Sequence, residues 1–227
     1  MDAPSVGRIR ELPYLRDLTD EEFRAFAASI VVKEYGPRDI VMSASEPPPG
    51  FFIVVEGKAR IYRVGRDGRE QTLRLVRPGD TFGEVPVFDD GPSPAWVEAL
   101  EETRLVILPT AEFRQLILQE PRIALSLLRQ FARRIRVLTR QVEEMSLQTV
   151  ESRLARYLFQ LAQEEGEEDE RGIIVPRQLT QHDLATIVGS VREVVGRTMK
   201  TLEREGVIEI ERDRVIIRDI ERLGSSL

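Results

Sequence analysis

The sequence predicts an α+β chain in which an all-β module of sandwich or barrel type is followed by a long helix and then by a winged helix-turn-helix. Three observations predict it. Between about Ile30 and Leu108, β-branched and aromatic residues come in short runs cut by Pro, Gly and Asp, the punctuation of an antiparallel sandwich or barrel. After Pro121 the apolar residues recur at alternating steps of four and three, a helical period. From Thr180, two short helical patterns meet at a glycine and two β-rich runs follow them.

Taken in order, the first element is a short helix over "TDEEFRAFAA", with Thr19 or Asp20 as its cap and acids in the first turn. The β module follows, and within it Asp67-Gly68 marks a hairpin, because glycine there supplies the positive φ the reversal needs. In the long helix, Ala124, Leu128, Phe131, Ile135, Leu138, Val142 and Met145 follow heptad spacing, with Arg, Gln and Glu on the other faces. That seam predicts pairing with a second copy of the chain, the alternative being a helix that only covers its own domain. Next, "TVESRLARYLFQLAQ" reads as a helix burying Leu154, Tyr157, Leu158 and Leu161. The acidic tract Glu164 to Arg171 after it reads as a solvated loop.

Thr180 caps the next helix, with Asp183 in capping-box position and Leu184, Ile187 and Val188 as its buried stripe; Gly189 ends it. Ser190 is expected to cap the second helix with Glu193 three residues on, to turn Val194 or Val195, Thr198, Met199 and Leu202 inward, and to end at Gly206. The runs on either side of Arg212-Asp213 complete a wing. In such a unit the second helix enters the DNA major groove by its N-terminal outward residues, here Arg192, Glu193, Gly196 and Arg197. Arginine grips guanine O6 and N7 with two bonds, glutamate accepts from cytosine N4, and glycine allows close approach. Lys200, Arg204, Thr180 and Gln181 are placed for phosphates.

Composition narrows the function classes. The chain has 227 residues and no cysteine, which removes disulfides, thiolate zinc sites and cysteine-held iron–sulfur clusters. No run has the length of a signal peptide core or of a membrane span, so the expected location is the cytoplasm, with no membrane partner. A net charge of −6 argues against indiscriminate adhesion to nucleic acid while leaving room for a local basic face. With a single histidine, His182, and no nucleophile–base pair or phosphate-cradling glycine loop, an enzyme is not expected, and neither is a metal or other cofactor. His182 itself reads as solvent-exposed or phosphate-facing.

The whole chain resembles the family of the cyclic-AMP receptor protein and the fumarate and nitrate reduction regulator. "FFIVVEGKARIY", "RPGDTFGE" and "PAWVEAL" look like its double-stranded β-helix (jelly-roll) sensor, "FARRIRVLTRQVE" like its dimer helix, and "LATIVGSVREVVGRTMKTLEREGVI" like its winged helix. The resemblance implies a sensor domain over residues 1–118, a dimerisation helix over 119–147 and a DNA-binding domain over 148–227. It also implies a homodimer on double-stranded DNA with RNA polymerase as partner, and a TGTGA-like half-site read by Arg192, Glu193 and Arg197. Val191 and Val194 stand where the family often has hydroxyl residues that touch the DNA backbone. The effector pocket carried over from the family comprises Gly83, Glu84, Arg134, Leu138 and Thr139, with Leu138 in place of the threonine that meets the adenine. In cyclic-AMP-binding members an Arg-Ser pair before the sequence matching "AW" holds the cyclic phosphate. Here that place reads "GPSPAW", one residue shorter, and Pro92 and Pro94 have no N–H to offer instead. A regulator that does not depend on cyclic AMP is therefore expected, the alternative being a nucleotide-responsive one with Arg134 or Arg74 as a substitute clamp.

Overall fold

The computed structural model describes residues 9, 10, 12, 15, 18–176 and 179–225. They divide into two compact units: the described residues up to Gly68 together with Thr72–Arg136, and Arg69–Gln71 together with the described residues from Val137 on.

In the first unit, helix α1 (Asp20–Ser29) begins at Thr19, whose side chain accepts from the Glu22 amide while Glu22 reaches back to the Thr19 amide. The β module is β1 (Val31–Tyr35), β2 (Ile40–Met42), β3 (Gly50–Glu56), β4 (Ala59–Val64), β5 (Glu70–Val76), β6 (Thr81–Phe82), β7 (Trp96–Ala99) and β8 (Thr103–Pro109). They form two four-stranded sheets, in the orders β1-β8-β3-β6 and β2-β7-β4-β5, the jelly-roll arrangement. The hairpin at Asp67-Gly68 joins β4 to β5, with Gly68 at φ 79° and its amide 3.0 Å from the Gly65 carbonyl.

Strand β3, "GFFIVVE", is apolar from Gly50 to Val55 because both of its faces are covered there. Phe52 and Val54 point between the sheets, against Val97, Leu105 and Ile107. Phe51, Ile53 and Val55 point the other way, into a second core with Phe23, Phe26, Phe113, Ile123 and Leu127. The helices supplying that cover are α1, α3 (Thr110–Gln119) and the first turns of α4 (Pro121–Leu147). Sequence reading did not anticipate α3, nor the short helix α2 (Glu84–Asp89).

The second unit continues α4 into α5 (Val150–Glu165), capped by Thr149, then β9 (Glu167–Asp169), β10 (Gly172–Pro176), α6 (Gln181–Val188), α7 (Arg192–Arg204), β11 (Ile208–Ile210), β12 (Arg214–Ile217) and α8 (Ile220–Ser225). Leu154, Leu158, Val188, Val195, Met199, Leu202, Val207 and Ile217 form its core. Tyr157 and Leu161, expected to be buried, pack against this core but remain half-buried.

The acidic tract corrects the sequence reading. Glu167–Asp169 is not a loop but a strand, paired antiparallel with Gly172–Ile174 at the edge of the sheet β11-β12-β10-β9. All three residues are exposed, so the tract is solvated as expected. Three carboxylates along an edge strand also repel the approach of another strand.

Candidate nucleic-acid interface and sensor pocket

The helix-turn-helix is assembled by two local devices. At the start of α6, Thr180 Oγ1 accepts from the Asp183 amide at 3.2 Å, and Asp183 Oδ2 accepts from the Thr180 amide at 2.9 Å and its hydroxyl at 2.6 Å. At its end, Gly189 adopts φ 66°, and the amides of Gly189 and Ser190 both turn back to the Ala185 carbonyl. That second bond explains why Ser190 does not cap α7 as expected. Its amide closes the preceding helix, so the cap position falls on Val191, which makes no side-chain cap bond and leaves Glu193 outside any capping box.

On α7, Val195, Met199 and Leu202 are buried, and Val195 rather than Val194 is the inward valine. Thr198 is half-buried, its hydroxyl donating to the Val194 carbonyl at 3.0 Å. The helix stops at Arg204, and Gly206 takes φ 73° just beyond it, as its place in the sequence predicts. Arg192, Glu193, Arg197 and Lys200 are exposed together on the opposite face. Thr180 and His182 are exposed and Gln181 half-buried at the start of α6. A Cβ at Gly196 would lie 3.4 Å from Gln181 Oε1, so the glycine provides the room in which the Gln181 amide rests against α7.

The charge pairing in this unit is uneven, which composition could not reveal. Arg156 pairs with Glu144, Arg171 and Arg214 with Glu211, Arg218 with Glu209, and Arg222 with Glu205. Glu211, accepting from Arg214 and then Arg171, is held below the usual carboxylate range, and Arg171 is raised, chiefly by its bond to Glu211. Arg192, Arg197, Lys200 and Arg204, by contrast, form no ion pair among the described residues. Their charge is unspent. Arg153 was not singled out in the sequence, yet it donates to the carbonyls of Val188 at 2.8 Å and Gln148 at 2.7 Å, tying the start of α5 to the turn before α7. An arginine in an amphipathic helix gives no sign in the sequence that its partners are backbone carbonyls.

In the sensor unit, Gly83 takes φ 82° and Glu84 opens α2. Glu84 is only half-buried by exposed area, yet its carboxyl is surrounded deeply enough that burial raises its pKa; its own amide, then Arg74 and Arg134, oppose the rise. Arg134 is lowered, first by burial and then by Arg74, with Glu84 and Asp80 opposing. Arg74 donates to the Thr81 carbonyl at 3.0 Å and to Asp80 at 2.8 Å, Arg134 donates to the Leu73 carbonyl at 3.0 Å, and Gln130 donates to Thr81 Oγ1 at 2.9 Å. Gly83, Glu84 and Arg134 thus belong to one unit. Leu138 and Thr139 belong to the other, where both are exposed on α4.

The loop Gly91–Ala95 spends its amides within the protein. The Gly91 amide binds Asp89 at 2.9 Å, the Ser93 amide binds the Glu46 carbonyl at 2.9 Å, and the Ala95 amide turns to Ser93 Oγ at 3.4 Å. The Ser93 hydroxyl donates to the Ala95 carbonyl at 2.7 Å, and Ser93 is 2% exposed. Among the described residues, no group of three or more His, Asp or Glu gathers as a metal would require, and no helix is long and apolar enough to cross a membrane.

Comparison with known proteins matches residues 32–120 to the cyclic nucleotide-binding domain and residues 152–225 to the Crp-like helix-turn-helix domain. A CRP-like cAMP-activated global transcriptional regulator of Mycobacterium tuberculosis is 34% identical over 203 residues, covering 87% of this chain and 91% of that one. A cyclic AMP receptor protein of Thermus thermophilus is 32% identical over 168 residues, 74% of each chain. Among solved structures, a transcriptional regulator of the CRP/FNR family from Thermus thermophilus superposes with TM-score 0.71 at 28% identity, over 86% of this chain and 97% of that one. These relatives are transcriptional regulators, not enzymes.

Proposed function

This chain belongs to the CRP/FNR family of DNA-binding transcriptional regulators, and from that premise we propose that it works as a cytoplasmic homodimer that reads a palindromic, TGTGA-like operator without needing cyclic AMP. The observation that carries the reading is the free charge on α7. On a protein of net charge −6, Arg153, Arg156, Arg171, Arg214, Arg218 and Arg222 of the same unit are spent on acids or carbonyls, whereas Arg192, Arg197 and Lys200 are exposed together on one face of α7, form no ion pair among the described residues and flank Glu193. Arg192, Glu193 and Arg197 suit base edges, with Gly196 permitting close approach. Lys200, Gln181 and the amides near Thr180 suit phosphates, which fix the register, the donors of Thr180 itself being spent on Asp183.

Dimerisation is supported by the two stripes of α4. Ile123 and Leu127 cover the helix's own core, whereas Leu128, Ile135, Val142 and Met145 are 60%, 63%, 65% and 46% exposed at heptad spacing. Leu138, 39% exposed, continues the stripe, and Phe131 is half-buried, its ring edge-on to Phe88 at 5.5 Å. Such a seam suits a second copy, which would set two recognition helices about 34 Å apart, one turn of DNA. Gene regulation by such a dimer implies RNA polymerase as its partner.

Independence from cyclic AMP is supported by the loop Gly91–Ala95, whose amides are spent and which has no basic residue of its own where the family resemblance implies a phosphate clamp; the exposed Arg63 that reaches it is bonded to the Pro94 carbonyl at 2.6 Å. Burying a phosphate there unpaired would cost several kcal/mol. A second reading rests on Arg74 and Arg134, which stand close enough to Glu84 to oppose the rise in its pKa and could clamp a nucleotide's phosphate. Fluorescence anisotropy on a labelled TGTGA palindrome and its scrambled control, at one salt concentration, with and without cyclic AMP, separates the two. Selective binding without nucleotide is the expected result, with Arg197→Ala weakening it by about 1–3 kcal/mol. Selectivity that emerges only with cyclic AMP favours the second reading, and equal affinity for both duplexes refutes the DNA-reading face itself.

A further inference from the structure

Among the described residues from Gln148 on, Val191 is the one large apolar side chain that is exposed, at 40%. It stands at the N-cap of α7, next to Arg192 and Glu193, with extended backbone at φ −111°, ψ 152°. Helices α1, α5 and α6 each begin at a threonine whose hydroxyl accepts a first-turn amide; α2 and α3 begin at Gly83 and Pro109 without a side-chain cap, and α7 begins at an exposed valine that accepts nothing. A valine there forgoes the stability a hydroxyl cap supplies and leaves a branched hydrocarbon in water. Local rules are broken in this way where function outweighs stability.

We infer that Val191 is a specificity-determining residue that packs against the C5-methyl group of a thymine in each half-site. The inference rests on the DNA-reading role proposed above and adds a second chemistry to it. Arg192, Glu193 and Arg197 read hydrogen-bond donors and acceptors; the thymine methyl is the one apolar feature the major groove displays, and a β-branched side chain at the leading edge of α7 complements it. Val191 cannot accept from or donate to a phosphate, so a backbone-positioning role is closed to its side chain. Val194, one turn on and half-buried, extends the apolar strip inward, and its carbonyl is already bonded to Thr198.

The test replaces each operator thymine in turn, symmetrically in both arms, by deoxyuridine, which deletes the methyl and keeps every hydrogen-bonding group. Affinity of the full chain is read by anisotropy at constant salt. One replacement should weaken the wild type by about fourfold per half-site, the worth of one buried methyl group, with the others near neutral. For Val191→Ala, the thymine and deoxyuridine duplexes should bind alike. Val191→Ser controls for stability: as a new cap it should raise the thermal midpoint while abolishing the discrimination, which a merely structural valine would not do. The inference is overturned if the wild type tolerates every replacement, or if Val191→Ala keeps the full penalty. Loss of all preference for the palindrome over scrambled DNA overturns the DNA-reading role as well, whereas preference without methyl sensitivity overturns the valine's role alone.

Discussion

Replacing Glu98 by alanine should be among the most destabilising single changes in the sensor unit. Glu98 is 5% exposed on β7, in register with Arg60 of β4. Its two oxygens accept from Arg60 at 2.8 Å and from Arg38 at 3.0 Å. The two arginines differ in what they can do once the carboxylate is gone. Arg38, whose side chain is 55% exposed, turns to water. Arg60, with a side chain 4% exposed and its guanidinium 4.3 Å from the centre of the Tyr62 ring, cannot. Removing one partner of a buried pair costs about 3–5 kcal/mol, because the other charge stays buried and uncompensated. Dividing by a urea slope of roughly 2 kcal/mol/M gives a fall in midpoint of about 1.5–2.5 M. The readout is local, because Trp96, the chain's single tryptophan, sits on the same strand opposite Tyr62 and its fluorescence follows this unit rather than the helix-turn-helix. Arg38→Ala should shift the midpoint little, as an exposed partner does. The double substitution Arg60→Leu with Glu98→Leu should recover most of what Glu98→Ala loses. A midpoint shift below about 0.5 M for Glu98→Ala, or a double variant no better than the single one, refutes the reasoning.

Three further outcomes follow from the geometry. Because burial raises the Glu84 pKa above 4.5, its contribution to stability is full below the unfolded value and is lost as pH rises through the folded one. Urea midpoints followed at Trp96 should therefore show the wild type losing stability relative to Glu84→Gln as pH climbs from 4 toward neutrality, and a constant difference contradicts this. Gly196→Ala should separate folding from binding. Alanine raises helix stability by up to about 1 kcal/mol and its methyl meets the Gln181 amide only at an ordinary contact of 3.4 Å, but it stands on the face proposed to approach DNA, so thermal melting should rise while operator affinity falls several-fold. Finally, Ile135→Asp with Val142→Asp, both at exposed seam positions, should leave each unit folded by circular dichroism while analytical ultracentrifugation reports a monomer and palindrome binding collapses toward that of one half-site.

The candidate interface was legible where a local rule dictates a local outcome. Thr180 with Asp183 is a capping box in three letters of spacing, Gly189 and Gly206 take the positive φ that ends each helix, and Arg192, Glu193 and Arg197 share a face through the helical period alone. Where neighbours compete, local reading failed. Ser190 was the better cap by residue type, but the bond of its amide to Ala185 passed the position to Val191. Glu167–Asp169 has poor strand propensity and forms a strand because Ile173 and Ile174 offer it an edge.

The sequence by itself determined the succession of β module, long helix and winged helix-turn-helix, the lack of thiol chemistry and the outward set on α7, because periodicity, turn residues and composition act over a few residues or over none. Tertiary structure decided which charges are free and which are spent. Arg153 and Arg197 both lie on amphipathic helices of one unit and are the same residue type. One is consumed by the carbonyls of Val188 and Gln148, and the other is left exposed without an ion pair. Arg60 and Glu98 are 38 positions apart and meet only because β4 and β7 pair in register. Coulomb energy depends on distance and burial, and a linear sequence specifies neither until the chain has folded.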